Sequence, residues 1–356
     1  MNIVVKVGTQ SILSHDGTPF EAVMQHLVEQ IVQLQKAGHQ VVLVSSGAVS
    51  SGRKVANQML GRQYGHSIGE KQLLASLGQP ELMRLYTVLF KEHQILVSQL
   101  LLTKQDFQTR RHYLNIARLL RELLQQKNIV PIINENDSVA IEELMFTDND
   151  ELAGLIAAQM NVEKLIILSN VHGVYSAHPD EPGSEIISVI DPEQGWPEVS
   201  AVKSTHGRGG MSSKLATARK MSGLGITTHI ASIDVPSVIT RIINQEQLGT
   251  VVLPSKKKSS IKRWMAYNNS KQTGAVTINQ GLLDILKENK RIISILPVGI
   301  VQSTGYFKKG DLVEIQTISG EKIGIGIAKY DSNKLNECLG QKDQPAFIHY
   351  DHLHIF

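Results

Sequence analysis

The chain has 356 residues, 42% of them hydrophobic, and a formal net charge of +3. That length is more than one ordinary core accommodates, so two domains are expected. Cys338 is the only cysteine, which excludes a disulfide framework or a cysteine metal site within the chain and suits a reducing compartment. No apolar run approaches the roughly 18–20 residues of a membrane span. Met1–Lys6 offers no basic segment ahead of a signal-length apolar stretch, so a cytoplasmic location is expected. The charge is unevenly placed: residues 1–254 carry 21 Lys+Arg against 24 Asp+Glu, and the remainder 15 against 9. Five of those 15 (Lys256, Lys257, Lys258, Lys262, Arg263) crowd one short stretch that reads as a solvated connector rather than a nucleic-acid face.

In chain order, Asn2–Val7 reads as a buried strand. A helix opened by Pro19 follows, with Phe20, Val23, Leu27, Ile31 and Leu34 at spacings of three and four, and Gly38 ends it. Gln40–Ser45 and Ile95–Leu102 are strand-like. Tyr113–Lys127 is helical, with Leu114, Ala117, Leu120, Leu123 and Leu124 on one side. Ile129–Ile133, Lys164–Leu168 and Thr227–Ala231 are short β-rich runs, and Leu152–Met160 is an apolar helix. Strand–helix alternation of this kind predicts an α/β fold, a mostly parallel sheet covered by helices on both faces, with ligands beyond the carboxyl ends of the strands. After Pro254 the pattern changes. Ala275–Ile278, Ser294–Leu296, Val313–Ile315 and Lys322–Ala328 are short strand candidates, and Gly281–Glu288 is a helix, giving a small, mostly β domain. The division expected is 1–254, a basic linker over 255–272, and 273–356.

Several segments carry chemistry. Lys6-Val7-Gly8-Thr9 follows the first strand, and Gly207-Arg208-Gly209-Gly210-Met211-Ser212-Ser213-Lys214 precedes a helix. Each joins a glycine turn, which lets the backbone approach phosphate oxygens, to a lysine, and a helix N-terminus favours anions. Neither is the common P-loop, Gly-x-x-x-x-Gly-Lys-Ser/Thr. The second could also be a plain surface loop. Ser45–Gly52 after the second strand suits either an anion-facing turn or a serine cap with close helix packing. Asn134-Glu135-Asn136-Asp137 places four polar residues at a strand end, enough for an amino acid's charged groups or for an Asx-rich turn. Thr147-Asp148-Asn149-Asp150-Glu151 exceeds what a helix cap requires; Asp150 could orient both lysines, and Asp148 and Asn149 could hold an amine. The 13 histidines show no metal-ligand spacing, and His349, His352 and His354 read as exposed surface.

Taken together and in this order, Val5–Thr9, Ser45–Ala48, Ile133–Asp137, Asp148–Asp150 and Gly209–Lys214 resemble the amino-acid kinase family over essentially the whole chain. Within it the likeness is to the branch that phosphorylates the γ-carboxylate of L-glutamate at the head of proline synthesis. The C-terminal part resembles a PUA domain through Lys262-Arg263-Trp264, Leu296–Ile300 and Gly310-Asp311. The resemblance implies a three-layer αβα sandwich and ATP with Mg²⁺. Catalysis would fall to Lys6, Lys214 and Asp150, and glutamate to Ser46, Gly47, Asn134, Asp137, Asp148 and Asn149. The nucleotide would lie against Lys6, Gly8, Ser169, Asn170, Arg208, Gly209, Gly210, Met211, Ser212, Ser213 and Lys214. No protein metal site is implied; Mg²⁺ would bridge phosphate oxygens.

The chain departs from the family at three places. Asn170 stands where an aspartate is usual, Arg208-Gly209 where threonine-glycine is usual, and Gln10 replaces a small hydroxyl residue. Asn170 keeps hydrogen bonding without charge, and Arg208 adds a cation near the phosphates. The resemblance also implies a homodimer or homotetramer, feedback inhibition by proline, and hand-over of product to a glutamyl-phosphate reductase; by its position between two substrate segments, the 140–147 stretch is where the proline sensitivity would lie. Two other readings are another carboxylate acceptor (aspartate, acetylglutamate or carbamate) and RNA binding by the PUA domain. The Asn134–Asp137 segment argues against the first, and the near-neutral charge beyond the linker against the second.

Overall fold

The computed structural model describes residues 1–14, 18–108, 110–140, 145–179, 181–197, 210–255, 274–288 and 293–355. In chain order the described residues up to Ser255 hold β1 (Asn2–Val7), α1 (Thr9–Ile12), α2 (Glu21–Lys36), β2 (Gln40–Ser45), α3 (Ala48–Leu60), α4 (Ile68–Lys91), β3 (Leu96–Leu102), α5 (Lys104–Gln108), α6 (Arg110–Gln125), β4 (Ile129–Glu135), α7 (Asn149–Met160), β5 (Lys164–Ser169), β6 (Val189–Ile190), α8 (Met211–Ser222), β7 (Thr227–Ser232), α9 (Val238–Ile243) and β8 (Thr250–Val252). The strands form one eight-stranded sheet in the order β3-β4-β2-β1-β5-β7-β8-β6. It is parallel from β3 to β7, and β8 turns antiparallel against β7.

β1 sits at the centre because its residues are apolar on both faces, which a sheet covered on both sides requires. Ile3, Val5 and Val7 face α2, α4 and α9, in one core with Leu27, Ile31, Leu82, Tyr86 and Ile239. The alternation of a strand sends Val4 and Lys6 to the other face, where α7 crosses β1, β2, β4 and β5, with α8 beside it. The expected three-layer αβα sandwich with a mostly parallel sheet is therefore present. Among the described residues no helix is long and apolar enough to cross a membrane.

The smaller unit is a five-stranded sheet of β9 (Gly274–Ile278), β10 (Ile300–Gly305), β11 (Leu312–Gln316), β12 (Lys322–Ile327) and β13 (Leu353–Ile355), in the order β10-β9-β11-β12-β13. Its core gathers Val276, Ile295, Phe307, Val313, Ile315, Phe347 and Ile348. Cys338 is a buried free thiol there.

Some expectations change. The helix after Pro19 begins at Glu21, and Pro19 itself forms an isolated bridge with Leu13. Ser294–Leu296 is no strand: only Ile295 bridges, to Ile348, because Pro297 removes the next backbone donor. His349, His352 and His354 are half-buried rather than exposed, since the buried apolar residues next to them, Ile348 and Leu353, draw that segment onto the small core. The linker from Lys256 through 272, residues 141–144 of the 140–147 stretch, and Arg208 and Gly209 lie outside the described residues.

Candidate active site

Lys6 is the last residue of β1 on the α7 face, and α7 begins directly beyond it. Its ammonium lies 2.6 Å from Asp150 Oδ1. Lys214 stands in the first turn of α8, and its ammonium lies 2.9 Å from Asp150 Oδ2. One carboxylate thus holds two cations, one per oxygen. Asp150 is fully buried, and both lysines are nearly so, at 5% and 8% exposed. Burial opposes ionisation of Asp150, but the two ammonium groups outweigh it and hold the carboxyl below its ordinary range. The segment folds this way because Asp148 caps α7: its Oδ1 accepts from the N–H groups of Asp150 and Glu151. Burial and the Asp150 charge push the Asp148 carboxyl up, against smaller downward pulls from the Ser213 hydroxyl, Lys6 and the Glu151 N–H.

A second cluster is neutral and lies at the ends of β2 and β4. Asn149 Nδ2 donates to Ser46 Oγ at 2.7 Å and to Asn134 Oδ1 at 2.8 Å. Asn134 Nδ2 in turn donates to Gln79 Oε1 at 2.9 Å. Asn134 and Glu135 are the closing residues of β4, which runs two residues beyond the expected strand end. Asn136 makes the local turn, accepting from the Ser138 hydroxyl, so the Asx reading holds there while Asn134 turns to α4 and α7. Ser45, wholly buried, bonds the Tyr86 hydroxyl at 2.8 Å and donates to the Ser46 carbonyl. Gly47 follows at φ +119°, a conformation that favours glycine, and opens α3.

The helix behind this cluster, α4, is pressed onto α3 by paired glycines. A Cβ on Gly52 would lie 1.8 Å from the Leu74 carbonyl oxygen, and one on Gly78 1.8 Å from that of Ala48. Only hydrogen at both positions allows this approach, which sets Gln79 against Asn134. Sequence reasoning missed α4 and with it Gln79 and Tyr86. The stripe Leu74, Gly78, Leu82, Tyr86, Phe90 at every fourth residue is the signal that would have found the helix.

Both clusters open onto one cavity of about 720 Å³. It is lined by Lys6, Gly8, Ser46, Gly47, Asn134, Asp137, Asp148, Asn149, Ser169, Asn170, Gly210, Met211 and Lys214 of the predicted residues. Ser212 and Ser213 do not line it, and Asp150 lies behind the lining, reaching it through the two lysines. Additional lining comes from Glu135, whose Oε1 accepts the Phe146 N–H, and from His66, Lys71 and His178. The chain matches the Amino acid kinase family over residues 1–232 and the PUA domain over residues 274–344. The chain belongs to the amino acid kinase family.

Three curated relatives match over nearly the whole chain. A glutamate 5-kinase of Chlorobaculum tepidum is 44% identical over 99% of this chain and 97% of its own length. One of Bacteroides thetaiotaomicron is 40% identical over 99% and 98%, and one of Dictyoglomus thermophilum 37% over 96% and 91%. In this amino acid kinase two of the departures, Gln10 and Asn170, meet where β1 and β5 end. Ser11 Oγ donates to Asn170 Oδ1 at 2.7 Å, and Asn170 Nδ2 to the Gln10 carbonyl at 3.3 Å. An aspartate at 170 could accept from Ser11 but could not donate to Gln10. The amide therefore ties the two loops with both its ends. Among the described residues no group of three or more His, Cys, Asp or Glu is disposed to hold a metal ion.

Proposed function

We propose that this chain transfers the γ-phosphoryl group of ATP to the γ-carboxylate of L-glutamate, giving γ-glutamyl phosphate and ADP, the entry step of proline synthesis. The observation that carries it is the Lys6–Asp150–Lys214 bridge opening onto the same cavity as the Ser46–Asn149–Asn134 cluster. The acceptor carboxylate is already ionised at neutral pH, so no general base is required. The remaining task is to hold two anions in line and to neutralise charge on the transferred group.

Lys6 and Lys214 serve that charge, fixed in place by Asp150 before any substrate arrives. Gly8, Ser169, Asn170 and the segment Arg208–Ser213 would contact the nucleotide. Ser46, Gly47, Asn134 and Asn149 orient the acceptor, and Asp137 and Asp148 meet its ammonium group. Among the described residues there is no cage of metal-binding side chains, and a Mg²⁺ ion would be held chiefly by the phosphates and would add charge neutralisation there.

Assembly as a dimer or tetramer, competition by proline at the acceptor site with a contribution from 140–147, hand-over to a glutamyl-phosphate reductase, and a cytoplasmic location belong to the same proposal. So do domain limits of 1–254 and 273–356 about a 255–272 linker. The deciding experiment is ADP release with ATP, Mg²⁺ and glutamate, with hydroxylamine trapping the acyl phosphate as a hydroxamate. ADP release without glutamate dependence, or preference for aspartate or acetylglutamate, would overturn it. Glutamate saturation curves with and without proline test the feedback; superimposable curves remove it.

A further inference from the structure

Glutamate carries three charges into the cavity. The γ-carboxylate goes to the phosphoryl group, and the ammonium has acidic partners in Asp137 and Asp148. The α-carboxylate needs a cation or a set of donors, and the residues assigned so far offer it no cation. The lysines among the described lining residues are Lys6, Lys71 and Lys214, and there is no arginine. Lys6 and Lys214 are engaged by Asp150. Lys71 forms no ion pair among the described residues. Its neighbour Glu70 does not neutralise it: that carboxylate is turned back on the start of α4, accepting from the Gly65 N–H, the Ser67 N–H and the Ser67 hydroxyl.

The position of Lys71 is fixed on the acceptor side. Its N–H donates to the Ser67 carbonyl in the first turn of α4. The next residue, Gln72, donates Nε2 to the Ala140 carbonyl at 3.3 Å, which pins this turn to the segment after β4 that carries Asp137. Farther along, the Gly52–Gly78 contact and the Gln79–Asn134 bond fix α4 to the start of α3 and the end of β4. A half-buried lysine with no ion-pair partner among the described residues, held at the rim of a site for an amino acid with two carboxylates, is available to a ligand.

We infer that Lys71 receives the α-carboxylate of the acceptor and so makes the enzyme selective for an α-amino dicarboxylate over a monocarboxylate that shares the reacting end. The inference rests on glutamate being the acceptor. It is tested by steady-state kinetics of the wild type, Lys71→Met and Lys71→Arg with three acceptors: L-glutamate, its α-amide, and 4-aminobutanoate, which lacks the α-carboxylate. Lys71→Met is expected to raise the glutamate KM on the order of 10²-fold with kcat little changed, the scale of truncating one partner of a buried charge pair. The KM values for the α-amide and 4-aminobutanoate stay as in the wild type, and Lys71→Arg recovers most of the glutamate affinity. An equal rise for all three acceptors, or no rise for glutamate, overturns the assignment. Should Lys71→Met fail to fold, Lys71→Gln against Lys71→Arg gives the same comparison. A wild type that releases no ADP with glutamate refutes the proposed function itself. A wild type that uses glutamate, beside a Lys71→Met enzyme with unchanged KM, refutes Lys71 alone.

Discussion

Asp148 and Asp150 lie two residues apart on one turn of α7 and meet opposite fates. Asp150 is driven below its ordinary range by two lysines, while Asp148 is driven up by burial and by Asp150 itself. The same contrast runs through the cavity. Its phosphoryl side is built of charges locked in ion pairs, and its acceptor side largely of amides and hydroxyls locked in hydrogen bonds, with the carboxyl groups of Asp137 and Asp148 beside them. A phosphate chain needs charge in place before it arrives, whereas an amino acid that brings its own charges needs shape and one counter-ion for each.

The sharpest way to break this contrast is on the charged side. Lys214→Ala should lower kcat about 10³-fold, since a group stabilising transition-state charge is removed from a water-poor site. Initial-rate ADP assays decide it, and near-wild-type turnover would place the charge stabilisation elsewhere. Asp150→Asn leaves two buried ammonium groups facing a neutral amide. Urea unfolding should show a loss of about 3–5 kcal/mol, the scale of an orphaned buried ion pair. A loss of under about 1 kcal/mol, the value of an exposed pair, would mean that the bridge is solvated.

Changes on the neutral side should be milder and fall on KM. Gln79→Leu removes the acceptor that orients Asn134, and one hydrogen bond is worth about 1 kcal/mol. The glutamate KM should rise about five- to tenfold while the ATP KM and kcat hold. An equal effect on the ATP KM would show that α4 supports the whole cavity and not the acceptor alone. The smallest effect is in pH. As pH falls from neutral, Asp148 takes up a proton before Asp150 does, because its pKa lies above 3.8 and that of Asp150 below. The glutamate KM should therefore climb at a pH where saturated turnover is still intact, and Asp148→Asn should flatten that climb. A fall in kcat at the same pH as the rise in KM would contradict the separation of the two carboxylates.

The charged side was legible because its residues sit at the ends of chain segments with strong local signals. A buried apolar strand followed by Lys6 and Gly8, a glycine turn before Lys214, and an Asx cap at Asp148 are each recognisable within a few residues. The neutral side was legible only where it coincides with such ends, at Ser46, Gly47, Asn134 and Asn149. Gln79 carries no local sign of its role: it is one polar residue before Pro80 in a helix whose burial depends on α3. Ser294–Leu296 was misread for a related reason, because three β-prone residues become a strand only if a partner pairs with them throughout.

By itself the sequence determined the sheet, the cations and the carboxylate meant to join them, because periodicity, glycine and capping are written in neighbouring residues. Only the tertiary structure decided which oxygen of Asp150 serves which lysine, that Asn134 turns to α4 while Asn136 makes the turn, and that Lys71 stands at the acceptor rim. Those are contacts between segments tens of residues apart. They follow from how closely α3 and α4 approach through two glycines, a distance that no local pattern of residues encodes.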